Sequence, residues 1–238
     1  IKSFQYSLSE FVTENELLKL INDLNLNKDI DGILVQLPLP KQINSEIILN
    51  AVEPSKDVDG FNILNAGNIY LNRVGVIPCT PLGCLIMLRS ITKSLKGMHA
   101  VIIGRSNIVG KPMAQLLLNE DCTVTTVHSK SNNIQKIVKE ADIIVAAVGI
   151  PNLVKESWVK KGAIVIDVGI NRVNYEDKVK LVGDVDFKEV ESLASFITPV
   201  PGGVGPMTIA CLLMNTVFQC SRKNKISLPS NLTNLFKL

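Results

Sequence analysis

The chain has 238 residues, of which 46% are hydrophobic and 20% are charged. This composition supplies a sizeable core and excludes a disordered, collagen-like or low-complexity chain, and the length indicates one large domain or two modest ones. The net charge is +3, but four basic residues after Glu191 contribute +4 and leave the rest of the chain at −1. With 5% aromatic residues and no basic patch, we expect no nucleic-acid partner.

The cysteine and histidine content argues against a metal site. The five cysteines show no CxxC spacing, and His99 and His128 are the two histidines. We therefore expect mostly buried, reduced thiols, no metal and a cytoplasmic location. We also expect no membrane partner, because no apolar run approaches about 18 residues and no signal-peptide pattern is present.

Helical and strand periodicities alternate along the chain. In chain order they predict a helix over 15–26, a strand over 32–37, a helix over 45–52, a loop over 53–72, a helix over 81–95, a strand over 100–104, a helix over 110–118, a strand over 123–127, another helix, strands over 142–148, 163–169 and 196–198, and a helix over 207–220. The alternation after residue 80 predicts an α/β fold with a doubly wound parallel sheet and helices on both faces. At the start of the first helix, Thr13 and Glu16 have the spacing of a capping box.

The segment GRSNIVGKP, residues 104–112, lies where a predicted strand ends and a helix begins. The backbone amides of such a turn and the helix N-terminus suit a dinucleotide pyrophosphate. Five residues separate Gly104 from Gly110, so the generic GxGxxG spacing is only partly met. From the pattern alone, the turn could equally be structural.

The end of the next predicted strand bears on the choice of cofactor. NAD-binding sheets usually carry an acid there, whereas this strand ends in Val127, His128, Ser129 and Lys130. Together with Arg105, these polar and basic groups suit a 2′-phosphate and favour NADP. A solvated turn without a ligand is the alternative.

Three further segments have residues suited to a ligand site. Gln36 lies near the carboxyl end of a predicted strand, although it could be an ordinary buried amide. Asp57 and Asp59 lie in KDVDGF, where a carboxylate could accept two hydrogen bonds from an aminopyrimidine edge or could form a turn. The segment PVPGGVGPMT, residues 199–208, combines rigid prolines with glycines that allow close backbone approach, although a plain tight connection would use the same residues.

Taken together and in this order, these segments resemble the bifunctional methylenetetrahydrofolate dehydrogenase/cyclohydrolase family. The resemblance covers DGILVQLPLP, KDVDGF, TPLG, GRSNIVGKP, VHS, DVGIN and PVPGGVGPMT, which span nearly the whole chain. It implies a smaller α/β folate domain over 1–79, completed by 207–238, and a Rossmann-like NADP domain over 80–206. It also implies a homodimer.

The family's functional residues match individual positions in this chain. By this resemblance, the expected catalytic residues are Gln36, which would contact the catalytic lysine, and Asp59, which would hold the pterin ring. The implied NADP-binding residues are Gly104, Arg105, Ser106, Ser129 and Ile170. The implied folate-binding residues are Val35, Gln36, Leu37, Asp59, Pro201, Gly202, Gly203, Val204, Gly205, Pro206, Met207 and Thr208.

One motif of the family is missing from these 238 residues. A YxxxK motif should precede Gln36, but Tyr6 is followed four residues later by Glu10, and neither Lys2 nor Lys56 lies in such a motif. We therefore expect an N-terminally truncated member that lacks the catalytic lysine.

The resemblance implies two reactions in one cleft. Hydride passes from 5,10-methylenetetrahydrofolate to NADP, and water then opens the resulting methenyl bridge to give 10-formyltetrahydrofolate. Two alternatives remain: another two-domain NADP oxidoreductase resembling shikimate dehydrogenase, and a non-catalytic NADP-binding or folate-binding homologue.

Overall fold

A computed structural model describes residues 1–175 and 178–233 of the chain. The helices are α1 (Glu14–Leu26), α2 (Ser45–Ala51), α3 (Ile63–Tyr70), α4 (Cys79–Ile91), α5 (Gly110–Asn119), α6 (Ile134–Lys139), α7 (Phe187–Val190), α8 (Val204–Asn224) and α9 (Ser230–Thr233), with a 3₁₀ turn over Glu156–Trp158. The strands are β1 (His99–Ile103), β2 (Thr123–Val127), β3 (Ile143–Ala146), β4 (Ile164–Asp167), β5 (Asn171–Tyr175), β6 (Lys178–Val182) and β7 (Phe196–Ile197).

Five strands form a parallel sheet in the order β2-β1-β3-β4-β7. Both faces of the sheet are covered, so its central strands are almost wholly apolar. In β1, Ala100 and Ile102 join one hydrophobic cluster, whereas Val101 and Ile103 join the other. The predicted α/β class and the doubly wound parallel sheet are confirmed.

Different helices cover the two faces of the sheet. Apolar side chains of α4, α5 and α8 pack on the first face, including Leu85, Leu116 and Phe218. Val138 of α6 and Val190 of α7 belong to the cluster on the second face. A third cluster joins α1 and α2 through residues that include Ile21 and Ile48.

Polar contacts stabilise the first segment of the chain, residues 1–79. Thr13 caps α1 and forms the predicted capping box with Glu16. Lys56 is buried along its length, and its ammonium donates to the carbonyl oxygens of Leu24, Asn25 and Asn27 at distances of 2.6–2.9 Å. This contact closes the C-terminal end of α1, where carbonyl groups lack partners within the helix.

Two predictions for the first segment need correction. The predicted strand over 32–37 is reduced to an isolated parallel bridge between Ile33 and Asp57, and Leu34 and Gln36 are exposed. Its other edge pairs with no strand among the described residues, so no ladder forms there. The predicted loop over 53–72 contains α3, which begins where Asn62 accepts a hydrogen bond from the Leu64 amide.

Two elements in the second half also differ from the sequence prediction. The antiparallel hairpin of β5 and β6 was not predicted. Helix α8 begins at Val204 rather than at residue 207, so part of the predicted glycine-rich loop is the first turn of this helix.

Helix α8 connects the first segment with the rest of the chain. The Asn215 side-chain amide donates to the carbonyl oxygens of Val58 and Ile77, and Gln219 donates to Pro54 and Asp57. By length and composition this 21-residue helix could cross a membrane, a test that core helices of soluble proteins also pass. Its buried polar contacts with loop carbonyls fix one face of the helix against the first segment.

Candidate active site

The turn after β1 is shaped by two glycines that side chains could not replace. A Cβ on Gly104, where φ is +119°, would lie 2.3 Å from the Ala147 carbonyl oxygen, and a Cβ on Gly110 would lie 2.4 Å from the Gly104 oxygen. Ser106 Oγ accepts hydrogen bonds from the amides of Val109 and Gly110. The turn is therefore tightly packed and leads directly into the N-terminus of α5, a position that suits an anion.

The position of this turn in the sheet is that of a ligand site. The chain leaves β1 towards β2 on one side and returns to β3 on the other, so the crevice between β1 and β3 is a topological switch point. Ligands of open α/β sheets bind at such points, outside the carboxyl ends of the strands. The close approach of Gly104 and Ala147 places the turn directly at this crevice.

The turn after β2 is ordered by its own side chains. The His128 amide donates to Ser131 Oγ at 3.0 Å, and the Lys130 amide donates to His128 Nδ1 at 3.2 Å. Ser129 and Lys130 are exposed, as is Arg105 in the neighbouring turn after β1. These three polar groups follow adjacent strands at the same edge of the sheet.

Two buried aspartates organise the loops after β3 and β4. Asp184 Oδ2 accepts from the amides of Val148 and Gly149, whereas its Oδ1 accepts from the Ile150 amide and from Asn171 Nδ2. These loops expose Ile150 and Ile170, of which Ile170 is one of the predicted site residues.

The second aspartate, Asp167, ends β4 and supports the first. It accepts hydrogen bonds from the amides of Gly169, Asp184 and Val185. Burial raises the pKa of Asp167 to about 6, although its backbone hydrogen bonds oppose that shift. The predicted site residues include neither carboxylate; the glycines beside them, Gly169 and Gly183, are the signal that their close packing leaves in the sequence.

The two aspartates of KDVDGF have different environments. Asp57 is largely occupied, because it accepts from the amides of Gly60 and Asn62 and from Asn65 Nδ2. Asp59 has one side-chain partner among the described residues, the Cys79 thiol, whose sulfur lies 3.8 Å from Oδ1. Burial, followed by the nearby Asp57 charge, raises the pKa of Asp59 to about 6. Asp57 is thus a turn-former, and Asp59 has acceptor capacity left for a ligand.

The segment 199–208 lies between the Asp59 region and the loop after β4. Thr208 Oγ1 is 2.9 Å from Thr80 Oγ1. Thr80 directly follows Cys79, whose thiol contacts Asp59. On the other side, a Cβ on Gly205 would be 3.8 Å from Ile170 Cδ1. Of the predicted folate-binding residues in this segment, Gly203 and Val204 are buried, Gly205, Met207 and Thr208 are half-buried, and Pro201, Gly202 and Pro206 are exposed.

Gln36 is exposed and makes a local side-chain contact. Its side-chain amide donates to the Leu37 carbonyl oxygen at 3.0 Å, and within residues 1–175 and 178–233 no lysine side chain hydrogen-bonds to it. Its neighbours Val35 and Leu37 are half-buried. The described residues contain no group of three or more metal-ligating side chains.

Comparison with known proteins identifies the family. A family model described as the catalytic domain of tetrahydrofolate dehydrogenase/cyclohydrolase matches residues 1–59, and a model of the NAD(P)-binding domain of the same enzymes matches residues 78–224. The chain belongs to the tetrahydrofolate dehydrogenase/cyclohydrolase family. The two matches correspond to the two-domain arrangement of that family.

Relatives within the tetrahydrofolate dehydrogenase/cyclohydrolase family cover almost all of this chain. Bifunctional protein FolD 1/3 of Ruegeria pomeroyi is 54% identical over 98% of the chain and 79% of the relative. The crystal structure of the bifunctional FolD enzyme from Campylobacter jejuni has a TM-score of 0.90 at 51% identity, covering 94% of this chain and 78% of that one. The Trypanosoma brucei enzyme, solved with NADP and an inhibitor, has a TM-score of 0.87 at 40% identity, covering 91% and 75%.

Proposed function

We propose that this protein oxidises 5,10-methylenetetrahydrofolate with NADP and then hydrolyses the 5,10-methenyl product to 10-formyltetrahydrofolate. The observation that carries this proposal is the position of the 199–208 segment. It lies beside Ile170 after β4 and hydrogen-bonds through Thr208 to Thr80, the residue after Cys79, so it joins a dinucleotide-type sheet edge to Asp59, a carboxylate with spare acceptor capacity. Family membership supplies the reaction class.

On the cofactor side, the turn after β1 supports dinucleotide binding. Gly104 packs against the Ala147 carbonyl and Gly110 against the Gly104 carbonyl, so the turn is fixed where it enters the N-terminus of α5, which suits a pyrophosphate. NADP supplies the hydride acceptor. Arg105 and Ser129 are proposed to bind the 2′-phosphate, with Gly104 and Ser106 at the pyrophosphate and Ile170 at the nicotinamide.

On the folate side, Asp59 is proposed to accept two hydrogen bonds from the aminopyrimidine edge of the pterin. A half-buried carboxylate makes strong charge-assisted bonds once a ligand excludes water. The remaining folate contacts are proposed to come from Val35, Gln36, Leu37 and residues 201–208. Their part in the hydride step is orientation, since effective positioning alone can lower a barrier greatly.

For the hydrolytic step, the methenyl carbon is already electrophilic, and the protein needs to guide a water molecule and its proton. Gln36 is proposed to position the proton-handling lysine of the family's YxxxK motif, which these 238 residues do not contain. The exposed Gln36 amide can make such a contact, because its hydrogen-bond partner among the described residues is the neighbouring Leu37 carbonyl.

The domain limits and the state in solution are part of the proposal. We assign residues 1–79 and 207–238 to the folate domain and 80–206 to the NADP domain; residues 234–238 lie outside the described part of the chain. The hydrogen bonds from α8 to Val58 and Asp57 support the return of this helix to residues 1–79. We further propose a cytoplasmic homodimer without nucleic-acid or membrane partners, which sedimentation and cell fractionation would test.

The experiment is a spectrophotometric assay of the complete gene product. With methylenetetrahydrofolate, the absorbance of NADPH and of the methenyl product should rise only when NADP is present. With methenyltetrahydrofolate as the sole substrate, the methenyl absorbance should decay faster than in buffer. Binding of both ligands by calorimetry without turnover would favour a non-catalytic homologue. Reduction of NADP by a hydroxy acid but not by the folate would favour another two-domain oxidoreductase.

A further inference from the structure

Asp184 is a fully buried carboxylate that the proposed function does not use. Its two oxygens accept four hydrogen bonds: the amides of Val148, Gly149 and Ile150 at 2.6–3.0 Å, and Asn171 Nδ2 at 2.9 Å. Three successive backbone amides aimed at one carboxylate fix the path of the loop after β3. The Asn171 contact fixes the residue that follows Ile170.

The backbone is built closely around this carboxylate. A Cβ on Gly169 would lie 2.2 Å from Asp184 Oδ1, and a Cβ on Gly183 would lie 1.8 Å from Asp167 Oδ2. Asp167 in turn accepts from the Asp184 amide, while Thr198 Oγ1 accepts from the Asp167 amide. Asp184 is therefore itself held in place, and the geometry of both loops depends on it.

The order of the strands indicates which half of the cofactor these loops face. The basic and hydroxyl groups for the 2′-phosphate follow β1 and β2, and the pyrophosphate turn lies at the crevice between β1 and β3. The rest of a dinucleotide must then extend over β3 and β4, towards Ile170 and Gly205. Those are the loops that Asp184 connects.

We propose that Asp184 is a positioning residue for the nicotinamide half of the cofactor. It holds residues 148–150 and Ile170 in the arrangement against which the nicotinamide ring packs, and it touches neither cofactor nor folate. This inference rests on the proposed function and adds to it a buried group that aligns the hydride acceptor. In the same way, Ser131 orders the loop after β2, which is proposed to bind the adenosine half.

The test uses Asp184→Asn in the complete gene product. It compares binding of NADP with binding of 2′,5′-ADP, and the dehydrogenase activity with the hydrolytic activity. The variant keeps the shape of the side chain, but its NH₂ group cannot accept, so at least one backbone amide loses its partner. We expect NADP affinity or dehydrogenase kcat to fall by about tenfold to hundredfold, which corresponds to the loss of one charge-assisted hydrogen bond. Affinity for 2′,5′-ADP, which lacks the nicotinamide, and hydrolysis of supplied methenyltetrahydrofolate should change less than about twofold, as expected for steps without that contact.

Ser131→Ala is the matched control, because it removes one hydrogen bond from the loop on the opposite side of the switch point. It should weaken 2′,5′-ADP and NADP equally. Asn171→Ala, which removes a single contact to Asp184, should repeat the Asp184→Asn pattern at smaller size and serves if that variant does not fold.

Parallel losses of 2′,5′-ADP affinity, hydrolysis and thermal stability in both Asp184→Asn and Asn171→Ala would mean that Asp184 only holds the fold together. Unchanged NADP affinity and dehydrogenase rate would also overturn the inference. An inactive wild type would instead remove the proposed function, while the affinities for NADP and 2′,5′-ADP would still decide the role of Asp184.

Discussion

The Cys79 thiol lies against Asp59, with its sulfur 3.8 Å from Oδ1. Asn215 Nδ2 lies 3.4 Å from the same sulfur, and the Val58 carbonyl oxygen is also 3.4 Å away. Burial and the neighbouring Asp59 raise the pKa of Cys79, so it remains a neutral thiol. Asp59 thus sits among weak or neutral donors, in surroundings that stabilise its charge poorly.

Folate binding should depend on the ionisation of Asp59. Its pKa is raised to about 6 by burial, so the carboxylate that accepts from the pterin is lost below that pH. We expect folate affinity to fall about tenfold per pH unit below 6, as for any ligand that requires one deprotonated group. Calorimetry between pH 5 and 8 would measure it.

In Asp59→Asn, folate should bind weakly and without this pH dependence, whereas NADP affinity should stay within about twofold, since Asp59 lies outside the proposed cofactor contacts. A pH dependence that persisted in the variant would assign the titration to another group.

The same burial should make the ionised form of Asp59 destabilise the folded protein. Because its pKa is raised, the folded protein binds a proton more readily than the unfolded chain between about pH 4 and 6. Stability therefore falls as the pH rises through this window and remains lower above it. Asp59→Asn should raise the free energy of unfolding at pH 7.5 by about 1–3 kcal/mol and change it little at pH 4.

Urea unfolding at the two pH values measures this difference. Asp23→Asn, which replaces an exposed carboxylate on α1, is the control and should change neither value. An equal gain at both pH values for Asp59→Asn would point to packing rather than to ionisation.

The central sheet could be predicted because each of its strands is defined locally. The apolar runs around Val101, Ile144 and Val165 are short, rich in β-branched residues and separated by helical periods, and all three form parallel strands. The run 32–37 has the same local pattern, but a strand ladder also requires a neighbour. Among the described residues it finds only the bridge from Ile33 to Asp57.

The site was less predictable, because its decisive contacts join residues far apart in sequence. Nothing local distinguishes Asp59, with spare acceptor capacity, from Asp57, whose three donors come from residues 60–65. The partners of Asp184 lie 13 to 36 residues away, so its role in the loop after β3 has no sequence signature of its own. The Gly104 turn was found because its chemistry lies in one continuous segment.

Lys56 should contribute to stability rather than to catalysis. Its ammonium donates to three carbonyl oxygens at the end of α1, which would lose these bonds in Lys56→Met. We expect a loss of about 1–3 kcal/mol in unfolding free energy, since part-buried hydrogen bonds to a charged donor would be lost.

NADP affinity of folded Lys56→Met should be unchanged, and Lys41→Met, at an exposed position of the same segment, should leave the stability unchanged. Chemical denaturation of the three proteins compares them directly. A stable but inactive Lys56→Met would instead give this lysine a catalytic role.

The cofactor preference should depend on Arg105 and Ser129. A 2′-phosphate carries about two negative charges at neutral pH, and no acid follows β2 to repel it. The wild type should therefore prefer NADP to NAD. Arg105→Ala loses one charge-assisted contact, so its affinity for NADP should fall by about ten- to a hundredfold, and the affinity of Ser129→Ala should fall less.

NAD affinity should change much less in both variants, because NAD has no group at that position. Lys136→Ala, which removes an exposed charge from α6, controls for long-range attraction and should leave the NADP preference intact. The dissociation constants of both cofactors should be measured at one fixed ionic strength, since salt screens exposed charges. Equal losses for NADP and NAD would mean that Arg105 and Ser129 only shape their turns, and a wild-type preference for NAD would reject the assignment.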